Sequence, residues 1–224
     1  SEPMTVVLSL KGWIRAGKGH ELDPAALGYR EGDALLDYFR GRSTLNIAVL
    51  DNTGRSYSSL THTLPSARGN GEPLSGRFTP PAGAQFVGLA SGETTQKFIV
   101  SSNYGYGFIT VFENFLSSKK AGKQLINTDE SASILPPCAL HNAETDFVVV
   151  ISSSGNLLAF PASELPELDK GKGNKLMQIP PAKLKAGEEY ITAVTSVKDG
   201  GELTLFCGQR KLVLSWRDLQ AYQG

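Results

Sequence analysis

Four glycine-rich loops carry the residue types most suited to chemistry in this chain. They read LGYREGD (27–33), SARGNGEP (66–73), KKAGKQL (119–125) and KGKGNKL (170–176). Glycine lets a backbone come close to a ligand, and its free N–H groups form anion-binding concavities. Lys or Arg beside it supplies the charge that a phosphate requires. The candidate phosphate contacts are therefore Arg68, Lys119, Lys120, Lys123, Lys170, Lys172 and Lys175, with Arg15, Lys18 and Arg77 as supplements. Residues 119–123 and 170–175 each hold three lysines; the compensating acids lie elsewhere, at Glu164/Glu167, Glu188/Glu189 and Asp199/Glu202. Such contacts position a nucleic-acid backbone and read no bases.

Other chemistries lack their residues. No G-x-x-x-x-G-K-[ST] loop occurs, so GKG at 17–19 and 171–173 is not a nucleotide-binding P-loop. GYGF (105–108) joins two apolar runs and opens no helix, and SSSG (152–155) lacks the first glycine of a nucleophile elbow. His20, His62 and His141 have no metal-ligand spacing; His20 is placed to touch a phosphate, and the other two read as surface residues. Glu188 and Glu189 read as a solvated pair, and Trp13 and Trp216 as packing residues. No catalytic, cofactor-binding or metal site is expected.

The elements that must position the loops repeat. Apolar runs broken by a small or polar turn occur at 5–16, 46–58, 97–110, 146–160 and 202–216. Each reads as a β-hairpin. The turn glycines are Gly12, Gly54, Gly105 and Gly155, with the fifth equivalent near Arg210 beside Gly208. The basic loops follow these glycines by 15 to 17 residues, so radial packing would bring them to equivalent places on one surface. A period of about 40–55 residues predicts an all-β, propeller-like array, here of about five four-stranded blades. Four loops around such a disc would trace a curved anionic path, for which bent duplex DNA is the candidate.

Composition agrees. The 224 residues carry 22 basic and 22 acidic side chains, which excludes a generally basic arm or an acidic tail while leaving local patches open. Cys138 and Cys207 lie far apart, so neither a disulfide scaffold nor a zinc knuckle is expected, and a reducing compartment is. No run reaches the ~18–20 apolar residues of a membrane span, and Ser1–Ser9 does not read as a signal peptide. The expectation is a soluble cytoplasmic fragment of a longer protein. The rival readings are a WD40-type protein-interaction propeller, against which stand the missing G-H and W-D signatures, and a propeller hydrolase, which would need repeat-phased carboxylates.

LPSARGNGEPLSGR (64–77), YGYGF (104–108), KKAGKQLIN (119–127), KGKGNKLMQIP (170–180) and GWIRAGKGH (12–20) resemble the C-terminal domains of bacterial topoisomerase IV A subunits (ParC), paralogues of the gyrase A C-terminal domains. The resemblance runs from Met4 to Leu219. It implies a β-pinwheel, residues 1–224 forming one DNA-binding domain whose rim bends duplex DNA and sets which topologies the parent acts on: decatenation and supercoil relaxation. The implied parent is an ATP-hydrolysing isomerase of the type IIA class, active in chromosome segregation. Its ATP and Mg2+ are used outside this domain. The implied partners are duplex DNA, ParE, and the remainder of the ParC chain, in a heterotetramer of two ParC and two ParE chains. The implied location is cytoplasmic and chromosome-associated, with peripheral inner-membrane association known by family only. The gyrase box, Q-R-R-G-G-[KR]-G, would fall at ALGYREGD (26–33), where only Gly28, Arg30 and Gly32 echo it. That departure points to topoisomerase IV over gyrase.

Overall fold

The computed structural model describes residues 1–207 and 209–223, the side chain of Cys207 excepted. Gly208, beside the expected fifth turn, lies outside the described residues. Five successive units build the chain. The first gives β1 (Pro3–Ser9), β2 (Trp13–Lys18) and β3 (Leu35–Arg42). The second gives β4 (Asn46–Asp51), β5 (Arg55–Leu60), β6 (Glu72–Pro73) and β7 (Phe86–Ser91). The third gives β8 (Lys97–Ser101), β9 (Tyr106–Val111), β10 (Lys123–Gln124) and β11 (Cys138–Ala139). The fourth gives β12 (Phe147–Ser152), β13 (Leu157–Pro161), β14 (Asn174–Lys175), α1 (Pro181–Ala186) and β15 (Ile191–Val197). The fifth gives β16 (Leu203–Cys207), β17 (Arg210–Leu214) and α2 (Trp216–Ala221).

The units do not coincide with the sheets. The sheet orders are β3-β1-β2-β6, β10-β5-β4-β7, β11-β8-β9-β14, β13-β12-β15 and β16-β17. Each short strand thus completes the preceding blade: β6 pairs with β2, β10 with β5 and β14 with β9. The all-β, propeller-like expectation stands, but five four-stranded blades are corrected to four blades and a terminal hairpin. Three blades have four strands and the fourth has three. Among the described residues the fifth unit adds α2 after β17 and no strand to the free edge of β13. Its Ser215 capping box starts that helix, and beyond it Gln223 bridges to Ala159 of β13.

The hairpins form where expected, for a local reason. Ser9, Asp51 and Ser152 are buried just before their turns, and each side-chain oxygen accepts the N–H of the residue that follows the turn glycine, Trp13, Arg55 and Asn156. Gly12, Gly54, Gly105 and Gly155 follow with φ of 80°, 94°, 87° and 82°. Asp51 also accepts the Tyr57 hydroxyl at 2.7 Å; burial, and then this carboxylate, push the Tyr57 phenol far up.

Alternate residues of each hairpin face opposite neighbours. Val148 and Val150 pack with Ile99 and Ile109 of the third blade, whereas Phe147 and Val149 pack with Leu214 of the terminal hairpin. Trp216 joins that cluster, 4.6 Å from Phe147 between ring centroids. Strands buried on both faces read as continuous apolar runs, as FVVVIS does. The face of blade one turned away from blade two is covered by residues 19–34, held by Arg15 and Tyr29.

The strands that close the first four units, β3, β7, β11 and β15, lie at one edge of their sheets and meet in pairs: Asp37 of β3 accepts the Leu89 N–H of β7 at 2.9 Å, and Ser196 of β15 donates to Ala139 of β11 at 2.8 Å. They line a cavity of about 610 Å³ that includes Asp37, Cys138 and Thr195. Burial pushes the Asp37 carboxyl above its ordinary value. The folded chain therefore holds this proton more tightly than the unfolded chain. Stability from this group falls as pH rises from the ordinary carboxylate value through the raised one. Asp37→Asn should accordingly gain on the parent chain as pH rises from 4 to 7, read as the difference in chemical-denaturation midpoints; a constant difference would show no such linkage.

Candidate nucleic-acid interface

Three of the four expected basic loops are the segments that lead into swapped strands. Gly71, Gly122 and Gly173 stand 51 residues apart, directly before β6, β10 and β14, with φ of 85°, 67° and 82°. A Cβ on each would lie 2.2 Å from the Ile14 carbonyl oxygen, 2.6 Å from that of Ser56 and 2.0 Å from that of Gly107. Close approach is indeed why glycine is present, but to the neighbouring strand of the same blade rather than to a ligand. The shared phase of the loops is the phase of strand exchange.

These loops run in series along one edge of the molecule. Because β3, β7, β11 and β15 face inward, the swapped strands occupy the opposite edges of their sheets. The Thr79 N–H, beyond β6, donates to the Lys120 carbonyl at 2.9 Å. The Asn127 N–H, beyond β10, donates to the Gly171 carbonyl at 2.8 Å, and the Gly171 N–H donates back to Leu125 at 3.2 Å. Backbone bonds thus tie each loop to the next.

The fourth expected loop, 27–33, is not in this series. It lies in the segment that covers blade one, where the Gly28 carbonyl accepts from Arg15 and the Arg30 guanidinium sits 4.1 Å from the Trp13 ring. The first unit thus puts this segment to a different use, as a cover for its own blade.

The expected cations divide into free and engaged groups. Lys18, Arg68, Lys119, Lys120, Lys170 and Lys175 are exposed, and none has a side-chain hydrogen bond or ion pair among the described residues. Lys123 is half-buried on β10. Lys172 lies 4.2 Å from the Tyr106 ring and 3.4 Å from Asp129. Arg77 is held by Glu72 at 2.6 Å and by Thr63 and Ser59. Arg15 is corrected outright: it is 4% exposed, and its two terminal nitrogens donate to the Gly69 and Gly28 carbonyls at 2.7 and 2.6 Å. A guanidinium presents a planar fork that satisfies several carbonyls, whereas an ammonium on a flexible stem stays hydrated. Arg15 and Arg77 here join segments, whereas Arg68 and most of the lysines face solvent.

Three further residues depart from expectation. His20 Nε2 donates to the Gly41 carbonyl at 2.9 Å, so this nitrogen holds β3. Glu189 is buried and accepts from Ser152 and Asn156, each at 3.0 Å, instead of being solvated with Glu188. Arg55 escaped sequence reasoning because it lies outside the glycine-rich loops, at the start of β5; its Nε and Nη2 donate to the carbonyls of Ala121 and Gly122 at 2.9 and 3.1 Å. Its place directly after Gly54, matching Trp13 after Gly12 and Tyr106 after Gly105, is the signal that marks it.

Among the described residues no helix is long and apolar enough to cross a membrane, and no group of three His, Cys, Asp or Glu could hold a metal.

The model of the DNA gyrase C-terminal domain, described as a beta-propeller, matches residues 146–198. The whole chain is 43% identical over 224 residues to the A subunit of DNA topoisomerase 4 from Pseudomonas aeruginosa and 40% identical to its counterpart from Escherichia coli K12. It spans 30% of the length of either. The solved structure of the E. coli ParC C-terminal domain superimposes with a TM-score of 0.85 at 40% identity, covering 100% of this chain and 91% of that one.

Proposed function

Because this chain belongs to the family of ParC C-terminal domains of topoisomerase IV, we propose that it holds duplex DNA, without regard to sequence, along the edge formed by its swapped strands. The observation that carries this reading is the serial bonding of three loops that bring Arg68, Lys119, Lys120, Lys170 and Lys175 to one side with no acidic partner among the described residues. Lys18 extends the series: it and Arg68 flank one cleft floored by Leu22 and Leu64. Lys123 lies at the base of the second loop and Lys172 within the third, where Asp129 and Tyr106 already engage it. Arg15 and Arg77 act on the fold rather than on phosphate.

A duplex following this edge is bent, at a cost on the order of 1–6 kcal/mol for a site of ~20–30 bp, so several loops must share the contact. By bending one duplex the domain would bias its parent towards decatenation and relaxation. That parent is a type IIA topoisomerase, in which ParE and the remainder of the ParC chain complete a heterotetramer that uses ATP and Mg2+. Such a protein works in the cytoplasm on the chromosome.

The test is a binding titration of this chain across salt, with a duplex of roughly 30 bp beside one of roughly 10 bp. Six phosphate contacts give a slope of log K against log salt of about −5, at 0.9 per contact. The longer duplex should bind more tightly and show that slope. Equal affinities with a slope near −1 would reduce the edge to one local patch and favour a protein-docking role.

A further inference from the structure

We infer that Arg55 is a positioning residue of this interface, which fixes the Lys119–Lys123 loop without contacting DNA, and that Arg15 serves the Arg68 loop in the same way. The inference rests on the DNA-binding reading above.

Residues Trp13, Arg55 and Tyr106 occupy one structural position. Each follows its hairpin glycine and pairs with the second residue of the swapped strand, opposite Pro73, Gln124 and Lys175. In blade two this position sends a guanidinium beneath the loop to the consecutive carbonyls of Ala121 and Gly122. These carbonyls flank a glycine in the left-handed region, where backbone groups turn away from the strand ladder. One planar fork satisfies both, and an ammonium cannot reproduce that geometry. Lys119 and Lys120 stand on the exposed crest above. In blade three the same position is Tyr106, and the loop reaches back with Lys172 over its ring. In blade one the clamp moves two residues along the strand to Arg15, which holds Gly69. Each basic loop is thus anchored by a cation that is itself engaged, leaving its neighbours free.

Arg55 should then act through order. A loop that is loose before binding must be ordered by it, and fixing even one residue's backbone costs about tenfold in affinity. A phosphate contact acts differently, since its loss also lowers the salt slope by about 0.9.

The experiment compares the parent chain with Arg55→Ala and Arg55→Lys. Amide hydrogen exchange is read at residues 119–123 without DNA, and binding of the 30 bp duplex is read across salt. Expected are faster exchange in both variants and roughly tenfold weaker binding in both, with the slope of the parent. Arg55→Lys with parental affinity, beside Arg55→Ala with a slope reduced by about 0.9, would make Arg55 a phosphate contact and overturn the inference. Unchanged exchange in both variants would overturn it as well. A parent chain that binds no duplex at low salt would sink the functional reading instead, while exchange still decides whether Arg55 orders the loop.

Discussion

Alanine at Gly173 should destabilise the chain by about 3–5 kcal/mol. Two costs combine. The backbone sits at φ 82°, where a side chain is strained by about 1 kcal/mol or more, and the new Cβ would meet the Gly107 carbonyl oxygen at 2.0 Å and its carbon at 2.4 Å. Both obstacles are backbone atoms of β9, so no rotamer change relieves them. Relief requires β14 to leave the blade and open the edge beside Leu176. Gly155→Ala is the control: φ is 82° there too, yet nothing lies within 4 Å of its Cβ, so only the strain of about 1 kcal/mol remains. Thermal midpoints should fall by about 6–20 °C for the first and by about 2–4 °C for the second. Equal shifts would mean that the close approach to β9 contributes nothing.

Reversing Lys119, Lys120, Lys170 and Lys175 to glutamate should abolish duplex binding while leaving the fold intact. At 0.1 M salt each phosphate contact contributes a factor of about eight through counterion release, so four of them amount to three or four decades of affinity. The new carboxylates would add repulsion to that loss. Stability should hardly move, because these four side chains are exposed and make no hydrogen bond or ion pair among the described residues. The melting curve is therefore part of the test. A folded variant that still binds would place the duplex elsewhere on the molecule. Lys172 is left out on purpose, since its contacts with Tyr106 and Asp129 would confuse loss of fold with loss of charge.

The hairpins were legible in the sequence because their cause is local. The S-x-x-G and D-x-x-G turns and the apolar runs beside them lie within one stretch of chain. Strand exchange was not legible, because β6, β10 and β14 are two residues long and have no periodicity to read. Their glycines therefore passed for a phosphate cradle, and the covering segment 27–33 for a fourth copy. Blade number failed for a related reason: five hairpins can be counted, but the strands that complete each sheet come from a neighbouring unit. Charge fared unevenly. The exposed lysines were found by type and phase, whereas a string of letters gives Arg15 and Lys119 the same sign and hides the carbonyls that only one of them meets.

Because every complete blade borrows its last strand from the unit that follows, the order of synthesis is also an order of completion. As the chain leaves the ribosome, blade one stays open at one edge until Glu72–Pro73 emerges, and blades two and three wait for Lys123–Gln124 and Asn174–Lys175. At roughly 5–20 residues per second, each interval of 51 residues lasts roughly 3–10 s. The nascent protein thus always carries one unpaired strand edge, closed only by the next segment to appear. A ribosomal pause placed just before Gly71, Gly122 or Gly173 would prolong the exposure most prone to pairing with the wrong chain.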